Sequence, residues 1–132
     1  GYFEKVLEFE TSLNSERAQY NIGITYEKEK DYLKAVSSFL KIKLLVEDST
    51  LDDLILIKLG ENYEKLNDSN KSHEYFKEYY TKYSGNKDYA YVTEKLLVNR
   101  IQFKNISEMK EYYNELLKIN PAAAKQYAEY IK

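Results

Sequence analysis

Cysteine is absent from the 132 residues, so disulfides and thiolate chemistry are excluded. A single histidine, His73, rules out a multi-histidine metal centre. Tryptophan is missing, proline occurs once, at Pro121, and the four glycines are scattered. No glycine-rich loop has phosphate-binding spacing, and no EF-hand pattern is present. No apolar run approaches the ~20 residues that span a bilayer, so direct membrane insertion is not expected. No secretory signal is visible, and the chain starts at Gly1 rather than Met. That start points to a trimmed or mature fragment. What is present is a 43% hydrophobic fraction, including 15 tyrosines, sufficient for the core of one domain. The 20 Lys and Arg nearly balance 22 Asp and Glu. A net charge of −2 leaves no basic footprint for nucleic acid or an anionic membrane.

Internal periodicity dominates the pattern. Ile22-Gly23-x-x-Tyr26 is followed by Ala35-x-x-x-Phe39. An advance of 37 residues gives Leu59-Gly60-x-x-Tyr63 and Ser72-x-x-x-Phe76. A further 37 gives Leu96-Leu97-x-x-Arg100 and Met109-x-x-x-Tyr113. An aromatic residue therefore recurs at 3, 39, 76 and 113.

Each unit reads as two helices. Tyr75, Phe76, Tyr79, Tyr80 and Tyr83 fall on one helical face, as do Tyr32, Ala35, Val36, Phe39 and Leu40. Ile106, Met109, Tyr113, Leu116 and Leu117 form the third such face. Short polar turns at Lys30-Asp31, Asn67 to Asn70 and Lys104-Asn105 separate the helices, and Asn tolerates a left-handed turn. Ser15 before Glu16, and Thr50 before Asp52-Asp53, read as helix starts. Pro121 suits a first helical position, and Gly85 reads as a helix stop. Gly23 and Gly60, at the same phase of two units, imply close approach of a partner helix. Mid-helix Gly costs ~1 kcal/mol relative to Ala and needs such a reason.

These residues resemble the tetratricopeptide repeat, W-x2-L-G-x2-Y followed by A-x3-F and a terminal Pro. Unit one matches at Ile22, Gly23, Tyr26, Ala35 and Phe39. Unit two matches at Leu59, Gly60, Tyr63 and Phe76, with Ser72 as the small residue. Unit three departs at Leu97, Arg100 and Met109, although Ile106 to Pro121 is very similar to the family's second helix and its proline. The Trp position is nowhere Trp. The 37-residue period is similar to variants found in bacterial envelope lipoproteins and TolA-binding periplasmic proteins. That similarity in period favours periplasm or envelope over cytoplasm, and Lys, Asn, Ile and Tyr usage suits an AT-rich bacterial genome.

The resemblance implies an all-α superhelix, a solenoid of about eight antiparallel helices. The expected single domain has a half repeat at 2–10, full repeats at about 15–47, 50–84 and 87–119, and a terminal helix at 121–131. Stacked neighbours would share one continuous core. Half-repeats at both ends imply a segment of a longer array, or unusual capping helices.

The implied function is a non-catalytic scaffold that binds a peptide or partner protein on a concave face lined by first helices. The family's groove phases fall on Arg17, Tyr20, Ile24 and Glu27, then Leu54, Ile57, Glu61 and Glu64, then Tyr91, Glu94, Val98 and Ile101. That mixture favours an apolar peptide with a few basic residues. Leu54 and Ile57 belong to an all-apolar run, and packing on neighbours is an equal alternative. The carboxylate clamp of chaperone-tail binders is absent, since Tyr20 and Ile24 occupy its positions and Lys58 lies at the next unit's Asn phase.

Two other readings stand beside this one. In the first, Phe3 and Val6 at one end and Tyr127, Tyr130 and Ile131 at the other stack copies end to end as a homo-oligomer. In the second, the chain is a regulatory module of a larger protein. Catalysis, cofactor and metal are not expected. His73 reads as a surface helix residue, Asp52-Asp53 as a helix start, and the sequons at Asn67, Asn70 and Asn105 as coincidence. The tyrosines read as core rather than as a base-stacking platform.

Overall fold

The computed structural model describes the backbone of residues 2–131 and the side chains of residues 15–131. It is helical, with no strand among the described residues. The helices are α1 (Tyr2–Lys28), α2 (Tyr32–Leu45), α3 (Asp52–Lys65), α4 (Ser69–Lys82), α5 (Tyr89–Gln102), α6 (Ile106–Ile119) and α7 (Pro121–Lys125). A 3-10 turn, Ala128–Ile131, follows. Two compact bodies are present, Gly1–Asp68 and Ser69–Lys132, called unit one and unit two from here on and distinct from the three sequence repeats.

The turns explain the repeat. Lys30, Asn67 and Lys104 all have positive φ, at 63°, 61° and 56°. They stand 37 residues apart. Around each, the same two hydrogen bonds close the preceding helix. Lys30 N–H donates to Glu27 O at 3.0 Å and Asp31 N–H to Tyr26 O at 2.9 Å. Asn67 and Asp68 repeat this on Glu64 and Tyr63, and Lys104 and Asn105 on Ile101 and Arg100. This is the Schellman arrangement, usually built on Gly. The next residue then caps the following helix at Asp31 and at Asn105. Asp31 accepts from Lys34 N–H, and Asn105 accepts from Glu108 N–H, both at 3.2 Å. Only one of the three left-handed residues is the Asn that turn chemistry favours. The other two are Lys, with Asp or Asn displaced one place to the cap.

In unit one, α2 buries Ala35, Val36, Phe39 and Ile42, and α3 buries Ile55, Leu56 and Leu59. α1 packs on α2, and α2 on α3. Gly23 is the point of closest approach. A Cβ built there would lie 2.6 Å from one carbon of the Phe39 ring and 2.8 Å from another. Phe39 is fully buried. In unit two, Phe76 and Tyr79 of α4, Val92, Leu96 and Leu97 of α5, and Met109, Tyr112 and Leu116 of α6 are buried. Positions 35, 72 and 109 are buried in register, as are 42, 79 and 116.

The expected aromatic at 113 is an exception. Tyr113 is half-buried and its neighbour Tyr112 is fully buried instead. The Tyr112 ring sits edge-on to Tyr80, at 5.2 Å, and has His73 at 6.1 Å. Those two α4 rings hold a place for the residue one step earlier on α6.

Four expected boundaries shift. Residues 2–10 and the helix from residue 15 form one continuous α1, so Ser15 does not start a helix. Neither Gly nor Pro stands between Glu10 and Ser15, and nothing there ends a helix. The Phe3 register lies outside the described side chains. The cap of α3 is Leu51 rather than Thr50, without a side-chain hydrogen bond. Ser49 does the work, its Oγ accepting from Leu51 N–H at 3.1 Å and donating to the buried Glu16 carboxylate. The terminal helix spans only Pro121–Lys125, with Asn120 as cap and Pro121 in its first turn as expected.

Gly85 lies beyond the end of α4, and its φ is not positive. A Cβ there would meet nothing within 4 Å. Gly85→Ala is therefore expected to raise stability by about 0.4–1 kcal/mol by restricting the unfolded chain. The Tm should rise by about 2–4 °C, and a fall would mean this turn needs the freedom of glycine.

Candidate partner-binding surface

None of the twelve groove residues is buried. Arg17 and Glu64 are exposed, Leu54 is 39% exposed, and Tyr20, Ile24, Glu27, Ile57 and Glu61 are intermediate. On α1 and α3 the helical spacing puts them on one face of each helix. A polar cluster ties the two faces together. Lys58 Nζ lies 3.0 Å from Glu27 Oε2 and 3.8 Å from Glu61 Oε1. Asn62 Nδ2 donates to Glu27 Oε1 at 3.0 Å and to Lys58 O at 2.7 Å. Asn62 is buried, and its Oδ1 has no hydrogen-bond partner among the described residues.

Burial pulls the Lys58 pKa down, but its bond to Glu27 and the charges of Glu27 and Glu61 outweigh this and raise it. Tyr20 is raised, chiefly by burial, and its ring contacts Phe39 at 5.6 Å. Glu27 is thus committed to an internal pair rather than standing as a free anionic rim.

Unit two carries the α5 set. Tyr91 and Val98 are exposed, at 40% and 45%, and Ile101 is half-buried. Lys95 Nζ lies 5.7 Å from the Tyr91 ring centre. Glu94 accepts a 2.6 Å hydrogen bond from the Tyr127 hydroxyl. Burial and that bond push the Tyr127 pKa up to about 12. Of the proposed end residues, Tyr127 is thereby engaged, Tyr130 is exposed and Ile131 is half-buried. Phe3 and Val6 lie outside the described side chains.

Sequence reasoning overlooked two features. Asn62 holds the α1–α3 cluster together, and the repeat offered the signal: one period on, Asn99 Nδ2 donates to Ser69 O at 3.1 Å. His73 is not a surface residue either, since its side chain is only 12% exposed. Its Nε2 lies 3.3 Å from the Tyr112 hydroxyl and 3.5 Å from Glu108 Oε2. Glu108 also meets Arg100 at 3.6 Å, Lys77 at 3.9 Å and Asn105 Nδ2 at 2.9 Å. Burial, then the Arg100 charge, lower the His73 pKa to about 4 against the attraction of Glu108. The ring is neutral at pH 7, so its contact with Glu108 is not an ion pair there. No cluster of three or more His, Cys, Asp or Glu able to hold a metal occurs among the described residues.

The paired helices, the recurring left-handed turn and the glycine contact define an α-helical repeat protein. The tetratricopeptide repeat matches residues 16–45 and 99–123. The first span covers the end of α1 with α2, and the second joins the end of α5 to α6 and α7. A solved structure similar to this chain is the C-terminal TPR-containing domain of a Plasmodium falciparum protein described as FK506-binding. The TM-score is 0.70 at 17% identity, over 92% of this chain and 89% of that one. No curated protein gives a significant match. The repeat match and the structural similarity together support a tetratricopeptide-repeat fold. Such repeats in general mediate protein–protein interaction and are typically non-catalytic.

Proposed function

We propose that the chain is a non-catalytic scaffold that captures a peptide or an extended segment of a partner on its first-helix faces. The observation that carries this is the α1–α3 face of unit one. Ile24, Leu54 and Ile57 keep part of their apolar surface in solvent, beside a fixed Lys58–Glu27–Asn62 cluster. Apolar anchors supply binding energy. With Glu27 neutralised by Lys58, selection rests more on apolar side chains than on basic ones.

The test is a quantitative pull-down from native lysate with wild type and an Ile24→Glu, Ile57→Glu double variant. Both side chains are partly exposed, and circular dichroism should show unchanged helicity. Tyr20 is left intact because it packs on Phe39. A partner held by wild type and lost at least tenfold by the folded variant is expected. Equal retention by both would place the interface elsewhere.

A further inference from the structure

α2 presents a second surface, separate from the first-helix faces. Its outward side carries Leu33, Leu44 and Leu45, exposed to 70%, 77% and 80%. With Val36, Ser37, Leu40 and Lys41, and with Tyr63 of α3 as a wall, Leu33, Leu44 and Leu45 line a trough of about 630 Å³.

The lining has a definite geometry. Leu33, Val36, Ser37 and Leu40 stand at i, i+3, i+4 and i+7. Ser37, Leu40, Lys41 and Leu44 repeat that spacing one step along. Each set of four is the hole into which a knob from a facing helix inserts. The two holes share Ser37 and Leu40, and the small Ser37 deepens both. From Leu33 to Leu44 the stripe runs about 16 Å at the helical rise, three turns of a partner helix.

Charge selects the partner. The charged residues of α2 are Lys34, Lys41 and Lys43, with no acid in the helix. Lys34 pairs with Asp31 and Lys43 with Asp52. Lys41, in the trough, has no ion-pair partner among the described residues. A second copy docked through the same helix would bring only lysines and no acid, whereas a partner carboxylate would pair with Lys41.

We propose that this trough docks an amphipathic helix of a partner protein, with two successive large apolar knobs three or four residues apart and a Glu or Asp beside the second. The knobs fill the two holes, and the acid meets Lys41. This site is independent of the first-helix faces, so the chain would hold two partners, or two parts of one.

The test uses two fluorescein-labelled synthetic helices, with leucines at i, i+4, i+7 and i+11. Their flanks are glutamate in one and lysine in the other. Fluorescence anisotropy on the whole chain should show the glutamate peptide binding at least tenfold more tightly. Leu44→Glu should abolish binding with helicity unchanged, because Leu44 is 77% exposed. Lys41→Glu should invert the preference between the peptides. The Ile24→Glu, Ile57→Glu variant should bind the glutamate peptide as wild type does, so the two surfaces fail or survive separately.

Equal affinity for both peptides, or binding indifferent to Leu44→Glu, overturns the proposal. So does absence of peptide binding, including the case where phosphatidylglycerol vesicles bind in a Leu44-dependent way. A self-association in light scattering that Leu44→Glu removes would instead assign the trough to a second copy.

Discussion

Gly23→Ala is expected to destabilise the chain by about 1–2 kcal/mol and, when Phe39 is also cut to alanine, to stabilise it instead. Two effects compete at this position. Alanine in place of a mid-helix glycine contributes about 1 kcal/mol to helix stability. Against this, the new methyl would lie 2.6 Å from the ring of Phe39, which is fully buried and cannot swing clear. Forcing an extra carbon into a filled core costs about 1–3 kcal/mol, and here the contact is closer than van der Waals packing allows. Phe39→Ala alone removes the obstacle and leaves a cavity, at about 3–5 kcal/mol. In that background the methyl meets space, and only its helix-forming benefit remains. Urea unfolding of the four proteins of the cycle reads both the size and the sign. A loss on Gly23→Ala that is equal in both backgrounds would show that the Phe39 contact is not the reason for the glycine.

The second large effect concerns acid. His73 titrates near 6.5 when unfolded but near 4 in the fold, because the pocket beneath Tyr112 strips its hydration and Arg100 opposes a second positive charge. Between those two values the unfolded chain binds a proton that the folded chain refuses. Stability therefore falls as pH drops from about 6.5 to about 4, and the contribution is complete below that. A shift of this size corresponds to about 3 kcal/mol. His73→Gln keeps a polar group near Tyr112 and Glu108 but does not titrate. Its stability between pH 7 and 4 should decline less than that of wild type by about this amount. Carboxylates common to both proteins contribute equally to the two curves. Parallel curves, or a ring midpoint near 6.5 in an NMR titration, would refute the assignment.

Much of this architecture can be read from the residues alone. The register of 35, 72 and 109 predicts three buried positions, and Gly23 predicts the close approach that the Phe39 ring makes there. Other features were hidden for physical reasons. An absence of Gly and Pro over residues 11–14 marks a long helix as readily as a polar turn, so two expected helices merge into α1. Tyr112 and Tyr113 are chemically alike, and only Tyr80 and His73 across the helix pair decide which goes inside. Among the candidate site residues, Glu27 carries a formal charge in any reading. That Lys58 and Asn62 claim it depends on α1 and α3 meeting. The outer leucines of α2 fall off its core-facing stripe, and periodicity seeks what is buried rather than what is left over.

The repeat length has its own lesson. The five helices α2 to α6 each have fourteen residues, and each turn within a pair has three. The links between pairs differ: six residues at 46–51 and at 83–88, but Asn120 alone before α7. Those links account for the step from a 34-residue to a 37-residue period, and the shortest one shows that α6 keeps its length without the extra residues. Insertions and deletions during divergence can thus collect in the links, while the turns at Lys30, Asn67 and Lys104 keep the same two hydrogen bonds from one repeat to the next. Lineages whose repeats differ in length need not differ in how their helices meet.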